Sequence, residues 1–379
     1  MKKVLKNMLL TIAPLTISAN FLVSCNHTSK DNLTTIFNEY GALQSVLWAI
    51  SAERKAQLLT QYRLKKDLCS QVIAKQKQVD KALTKGKLNN NLVKWEHNKL
   101  TINQTQENEF IPVVAVDLDE TFIDNTPSSA YNLLNNKPFH PLEWDKWVNS
   151  QQATIFPGVL DFVQHVYKNG GLVMFVSNRL QDTHKETTRN NLIKENYPKE
   201  LLQDFHWWMS GVKDSKQNII KEKEDRYHYL NSNKLHIKEG IAVNIRIMMV
   251  LGDDINDFNS NFTNAKDNIY RNYYLEDNYV QQLFGQVAPA VRFTRKNNEI
   301  TKYYANCGQQ PDRLLKNEKY LDNIQEELTC WYSTYGLIGG NAMYGGWDSA
   351  FKKKHFEQHK TSYMKQAIRE YLQKFTSWD

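Results

Sequence analysis

The chain has few cysteines, no large excess of charge of one sign, and no apolar run long enough to cross a membrane. Each lack excludes something. Four cysteines among 379 residues, with none in a Cys-x-x-Cys pair, imply neither a zinc site nor a disulfide framework. A Cys307–Cys330 bridge is compatible with an exported protein, but the sequence does not choose it. The formal net charge of +7 is spread among interleaved acidic residues, so a nucleic-acid polymer is not the expected partner. Such an excess still favours the approach of anionic substrates. No internal repeat or long low-complexity tract is present, which argues against a solenoid. The 41% apolar content supplies the core of one large α/β domain, or of a core domain with additions.

The N-terminus carries an export pattern. Lys2, Lys3 and Lys6 precede the apolar stretch from Met8 to Ile17, which Pro14 interrupts, and Leu22-Val23-Ser24-Cys25 sets a small residue before a cysteine. That ending resembles a bacterial lipobox, in which Cys25 becomes the diacylated N-terminus. The alternative is a transmembrane anchor, but the stretch is short of the roughly 20 residues that spanning requires. The expectation is a signal peptide over 1–24, a tether over 25–34, and attachment to the outer face of the cell membrane through lipid on Cys25. Removal of 1–24 takes away three lysines and lowers the charge from +7 to +4.

Beyond the tether, residues 35–109 divide into a helical pattern, from Ile36 to about Leu83, and a polar linker over 97–109. The apolar run Ile111–Val116 then predicts a buried strand. Asp117-Leu118-Asp119-Glu120-Thr121 follows directly. Residues i and i+2 of a strand share a face, so Asp117 and Asp119 aim at one crevice at the strand's carboxyl end. Val159, Phe162, Val163, Val166 and Tyr167 share one face of a helix between Pro157-Gly158 and Gly170-Gly171. Leu172–Val176 is a second apolar strand, ending in Ser177-Asn178-Arg179, and Thr183–Asn196 is another helix. Ile247–Leu251 is a third strand, ending in Gly252-Asp253-Asp254-Ile255-Asn256-Asp257. Strands that alternate with helices and end in polar residues predict an α/β fold with a doubly wound parallel sheet. The elements of 259–330 are not assigned. Met364–Phe375 has the spacing of a closing helix within the C-terminal segment 351–379.

Those strand ends suit phosphoryl transfer, which needs positioning and electrostatics above all. A carboxylate such as Asp117 can attack phosphorus and form an acyl phosphate. Asp119 can protonate the leaving oxygen and later activate water. A hard divalent cation would screen the repulsion between anions, and Mg²⁺ prefers oxygen ligands such as Asp253. Ser177 offers a hydroxyl to the phosphate. Lys223, followed by Arg226, offers charge, with Lys213, Lys216 and Lys221 as competitors. Each has a plainer reading: a lysine-rich helix face is usually solvated, and Asp253 and Asp257 also suit an Asx-rich turn or cap.

Asp-x-Asp-x-Thr, a strand-end Ser, a Lys and Gly-Asp-x-x-x-Asp, in this order, resemble the haloacid dehalogenase superfamily. The stretches Asp117–Asn125, Trp144-Asp145-Lys146-Trp147-Val148, Phe156-Pro157-Gly158, Phe175–Arg179, Gly252–Phe258 and Asn341–Trp347 are similar to the bacterial class C acid phosphatases, surface lipoproteins of which some act as 5′-nucleotidases. The likeness runs from about Leu47 to Trp347. It implies a Rossmann-like core over 110–350 with a smaller, mostly helical cap from N-terminal, inserted and C-terminal segments. It also implies Mg²⁺ as cofactor and phosphomonoesters as substrates. Asp117 would be the nucleophile and Asp119 the general acid/base. Asp117, Asp253 and the main-chain carbonyl of Asp119 would hold Mg²⁺, supported by Asp257, while Ser177 and Lys223 bind phosphate. Trp144 and Tyr344 match an aromatic clamp for nucleotides, although Trp and Tyr also serve as core residues with a polar handle. Trp147 is the ligand-facing residue instead, or pure core.

The sequence departs from the family pattern at Asp254 and Asn256, where Asn and Asp are common, and at Ala342, where proline is common. Residues 231–240 and 259–330 are longer than the family needs, which leaves specificity open. Oligomeric state is open too, a dimer included. Two rivals remain: a non-catalytic ligand-binding surface lipoprotein, and a phosphotransferase on the same scaffold. The complete set of aspartates argues against the first.

Overall fold

A computed structural model describes residues 62–67, 69, 70, 73, 87–135, 137 and 139–258, and after them 287–289, 291–296, 299–304, 316, 318–320, 334–337, 369, 372, 373 and 375. Cys25, Cys307, Cys330 and Tyr344 lie outside these residues, as do the signal segment and tether. Among the described residues, no helix is long and apolar enough to cross a membrane.

The chain order is β1 (Lys87–Leu88), β2 (Val93–Glu96), β3 (Lys99–Ile102), β4 (Glu109–Val116), β5 (Ile123–Asp124), α1 (Thr126–Asn135), α2 (Pro141–Ser150) and β6 (Thr154–Ile155). Next come α3 (Val159–Lys168), β7 (Leu172–Phe175), α4 (Gln181–Lys194), α5 (Lys223–Ser232), β8 (Leu235–Lys238), β9 (Ile241–Val243) and β10 (Ile245–Gly252). The remaining strands are β11 (Val287–Pro289), β12 (Val291–Lys296), β13 (Glu299–Tyr304), β14 (Glu318–Tyr320) and β15 (Thr334–Leu337).

β4 is the central strand, and all eight of its residues are buried. That is expected of a parallel strand covered on both faces. β7 pairs with it in parallel, Val116 opposite Phe175, and β10 pairs in parallel with Val116 opposite Leu251. β15 extends the sheet in parallel beyond β10, and β11 closes that side antiparallel. Both β7 and β10 follow β4 in the chain, yet they flank it on opposite sides. This makes its carboxyl end a topological switch point, where such sheets open a crevice.

The predicted face of α3 is the one that packs: Val159, Phe162, Val163, Val166 and Tyr167 are all buried. The helix ends where Gly170 takes a φ of 76°, a left-handed value that glycine adopts without a Cβ penalty.

Several regions differ from the sequence reading. The polar segment 97–109 is not all linker. β2 and β3 form an antiparallel hairpin whose two turn residues, His97 and Asn98, have φ of 50° and 57°, as a type I′ turn requires. The stretch 231–240 finishes α5 and begins the β8–β9 hairpin. Within 259–330, β12, β13 and β14 make a separate three-stranded sheet. Short, polar, Tyr- and Lys-rich strands lack the apolar runs that identified β4, β7 and β10.

The inserted helices α1 and α2 follow the loop after β4. His140 caps α2, its Nδ1 accepting from Leu142 N at 3.3 Å, with Pro141 at the first helical position. His184 at the start of α4 meets Asp145 of α2 at 3.0 Å and accepts from Leu180 N at 3.3 Å. With Nδ1 accepting, Nε2 carries the proton that Asp145 receives.

Candidate active site

The ends of β4, β7 and β10 bring the predicted residues to one place. Asp117 N donates to Leu251 O at 2.9 Å, so the sheet ladder continues into the site. Leu118 is fully buried, while Asp117 and Asp119 on either side of it reach polar partners. The Leu118 carbonyl accepts from Phe122 N and Ile123 N at 2.8 and 2.9 Å, which folds the loop tightly back. Glu120 sits in that loop at φ 56°, held by its carboxylate accepting from Asn125 N at 2.8 Å.

Lys223 is the pivot. Its Nζ lies 2.6 Å from Asp117 Oδ1 and 2.6 Å from Asp257 Oδ1. Lys213, Lys216 and Lys221 are exposed, whereas Lys223 is buried. It occupies the first residue of α5, which aims it inward, and the next turn anchors the same end. Arg226 Nη1 donates to the carbonyls of Ser177 and Trp208 at 2.7 and 2.8 Å, and Tyr227 Oη donates to Asp257 O at 2.8 Å. Ser177 is buried, its Oγ accepting from Arg179 N at 3.2 Å.

Asp117, Asp253 and Asp257 each offer an oxygen within 4.8 Å of the others, and all three are buried. Thr121 Oγ1 donates to Asp253 Oδ1 at 3.2 Å. Asp257 Oδ2 accepts from Asp254 N at 3.1 Å. Burial raises the Asp117 carboxyl to about 7; the Lys223 charge opposes the rise, and Asp257 and Asp119 add to it. Burial, then Asp257 and Asp117, push Asp253 well above the carboxylate range. Asp257 is raised by burial against the pull of Lys223. Burial alone would lower Lys223, but Asp117 and Asp257 outweigh it and hold the ammonium above its ordinary value.

Three buried carboxylates share one ammonium, so ionising all three leaves net negative charge that is costly unless another cation joins them. An oxygen-only donor set selects a hard divalent ion, so these residues fit Mg²⁺. Asp119 is held by other partners. Arg179 donates to it through Nε at 2.9 Å (Oδ1) and 3.2 Å (Oδ2), and through Nη2 at 2.8 Å to Oδ1. Asn125 Nδ2 also donates to Oδ1, at 2.8 Å.

Trp144 is half-buried, its ring 5.5 Å from the Arg179 guanidinium and 6.4 Å from the Phe139 ring. It therefore stands one residue away from Asp119. Trp147 is 1% exposed, and its Nε1 donates to Asn125 Oδ1 at 2.8 Å; it faces the protein, not a ligand. Arg179, Asn125 and Thr121 were parts of motifs in the sequence to which no task was given. Their place within six residues of Asp119 or Ser177 is the available signal.

Carboxylates at the switch point of a doubly wound sheet, with a buried lysine between them, define a haloacid dehalogenase-type core built for phosphoryl transfer. The family model described as HAD superfamily, subfamily IIIB (acid phosphatase) matches residues 43–281, and the chain belongs to that family. Its reaction is the hydrolysis of phosphomonoesters. Among solved structures, the class C acid phosphatase from Bacillus anthracis is 20% identical, with a TM-score of 0.48 over 90% of this chain and 99% of that one. The same enzyme with tungstate bound is 22% identical, with a TM-score of 0.45 over 91% and 100%.

Proposed function

We propose that this acid phosphatase is Mg²⁺-dependent, takes nucleoside 5′-monophosphates or similar phosphomonoesters, and works on the outer cell surface, anchored by lipid on Cys25. The observation that carries the catalytic reading is the convergence of Asp117, Asp253, Asp257 and Lys223 within one buried cluster.

In this reading an Asp117 oxygen attacks phosphorus as the bond to the leaving oxygen breaks. Asp119 gives its proton to that oxygen, which departs as an alcohol. Water then loses a proton to Asp119 and attacks the aspartyl phosphate, releasing inorganic phosphate and restoring the Asp117 carboxylate. Lys223 and Ser177 bind the phosphoryl oxygens, which requires the Lys223–Asp117 ion pair to share its ammonium with substrate. Mg²⁺, when held by Asp117, Asp253 and the Asp119 carbonyl with Asp257 in support, supplies charge neutralisation that lets one anion approach another.

The nucleotide assignment rests on Trp144 and Tyr344 as the sequence positions that match the family's aromatic clamp. Base stacking between such rings is worth about 1–3 kcal/mol per base. Surface location follows from the lipobox and gives the reaction a use: a phosphate dianion crosses a membrane poorly because its desolvation is costly, and the nucleoside product does not carry that charge.

Phosphate release from AMP, NMN and p-nitrophenyl phosphate, with Mg²⁺ and with EDTA, tests the proposal. Release that requires metal and disappears in Asp117→Asn supports it. Equal turnover in EDTA, or turnover by Asp117→Asn, overturns it. Added glycerol that raises product without raising free phosphate would favour the phosphotransferase. Globomycin-sensitive processing of the precursor in cells tests the anchor on Cys25.

A further inference from the structure

We propose that Trp147 and Asn125 are positioning residues for Asp119, and that together with Arg179 they leave Oδ2 of Asp119 as the atom that hands over the proton. The inference rests on the reading of Asp119 as the general acid.

An indole Nε1–H can only donate. Trp147 Nε1 points at the Asn125 amide from 2.8 Å, so the amide must present its oxygen there. Arg179 Nη2, another group that only donates, approaches the same oxygen at 3.3 Å. Flipping the amide would set its NH₂ against two donors and its oxygen against a carboxylate. The orientation is therefore forced, and Nδ2 is left facing Asp119 Oδ1 at 2.8 Å.

All of this is buried: Asn125 is 0% exposed and Trp147 is 1% exposed. A lost partner could not be replaced by bulk water. Asn125 is locked further by its own backbone N–H donating to Glu120 at 2.8 Å. Arg179 is locked by Nη1 donating to Thr188 Oγ1 at 2.9 Å.

The outcome at Asp119 is asymmetric. Oδ1 receives Arg179 Nε at 2.9 Å, Arg179 Nη2 at 2.8 Å and Asn125 Nδ2 at 2.8 Å, whereas Oδ2 receives Arg179 Nε alone at 3.2 Å. An oxygen that already accepts three hydrogen bonds has no lone pair to spare for a proton. Oδ2 has one to spare, and the Asp119 side chain is 15% exposed, so it borders the open side of the site. The indole of Trp147 reaches in from the inserted helix α2, so this helix sets the aim of the acid as well as carrying Trp144.

The test compares kcat/KM for phenyl phosphate with kcat/KM for 2,4-dinitrophenyl phosphate, whose leaving phenolate needs no proton. This parameter ends at phosphoryl transfer and excludes the later water step. General acid catalysis is worth about 10²–10⁴-fold, so Asp119→Asn should lower the phenyl/dinitrophenyl ratio by roughly 100-fold. Trp147→Phe keeps a packed ring but deletes the N–H, and the expected fall in the ratio is about 10-fold, a misplacement effect of the kind set by geometry. Asn125→Ala leaves the indole in place and should lower the ratio as well; it carries the test if Trp147→Phe is insoluble. A purely structural role would lower both rates together and leave the ratio unchanged, which overturns the proposal. An unchanged ratio in Asp119→Asn would instead remove the general-acid reading on which it rests.

Discussion

Gly252 is the last residue of β10, and a methyl group there should disable the Asp117–Asp253–Asp257 cluster without replacing a carboxylate. A Cβ built on Gly252 falls 2.6 Å from both Cβ and Cγ of Asp257. Ordinary carbon contacts need about 3.5–4.0 Å, so one of the two must move by about 1 Å. The strand cannot yield easily, because β10 lies between β4 and β15. Asp257 must move, and with it go the 2.6 Å contact to Lys223 and the 3.1 Å contact to Asp254 N. Overpacking of this kind costs about 1–3 kcal/mol in stability. A 1 Å misplacement near the chemistry costs about 10²-fold in rate. Gly252→Ala should therefore remain folded, show kcat on p-nitrophenyl phosphate reduced by about that factor, and need more Mg²⁺ for half-maximal activity. The assay is a Mg²⁺ titration of activity beside a thermal melt. Wild-type kcat and Mg²⁺ dependence in a folded Gly252→Ala protein would refute the placement of Asp257 against the strand.

Other outcomes follow from the same geometry. Mg²⁺ at about 100 times its Kd should stabilise the protein by about 2.7 kcal/mol, seen as a rise in Tm that Asp253→Asn abolishes; an equal rise in that variant would place the ion elsewhere. His206 is buried, bonded to Tyr167 Oη at 2.9 Å, and burial depresses its pKa to about 3. Unfolded, it titrates near 6.5, so only the unfolded chain gains a proton as pH falls below that value. The stabilisation is complete at neutral pH and declines by about 2 kcal/mol between pH 7 and pH 5. His206→Gln should flatten that decline in urea melts, and an identical slope would refute it. Trp144→Ala should raise KM for AMP more than KM for p-nitrophenyl phosphate, by about 5–100-fold if a base stacks on it; equal effects on both would restrict Trp144 to holding Arg179.

Local pattern was enough to place three central strands of the sheet and the carboxylates at their ends. Continuous apolar runs bury on both faces whatever surrounds them, so β4, β7 and β10 were legible, and a strand end is a fixed position for the residue that follows it. Asp117, Asp119, Asp253 and Asp257 could be named for that reason. Hairpins β2–β3 and β8–β9 were not legible, because half-exposed strands of four or fewer residues carry too little periodicity. Which lysine enters the cluster was decided only by tertiary structure. Lys213, Lys216, Lys221 and Lys223 are chemically alike, and only the packing of α5 buries one of them against two carboxylates. The same holds for Trp147: its buried N–H acquires a purpose only when α2 folds over Asn125, twenty-two residues away in the chain. Local pattern fixes what a residue can do, but the partner that makes it do so arrives through long-range packing.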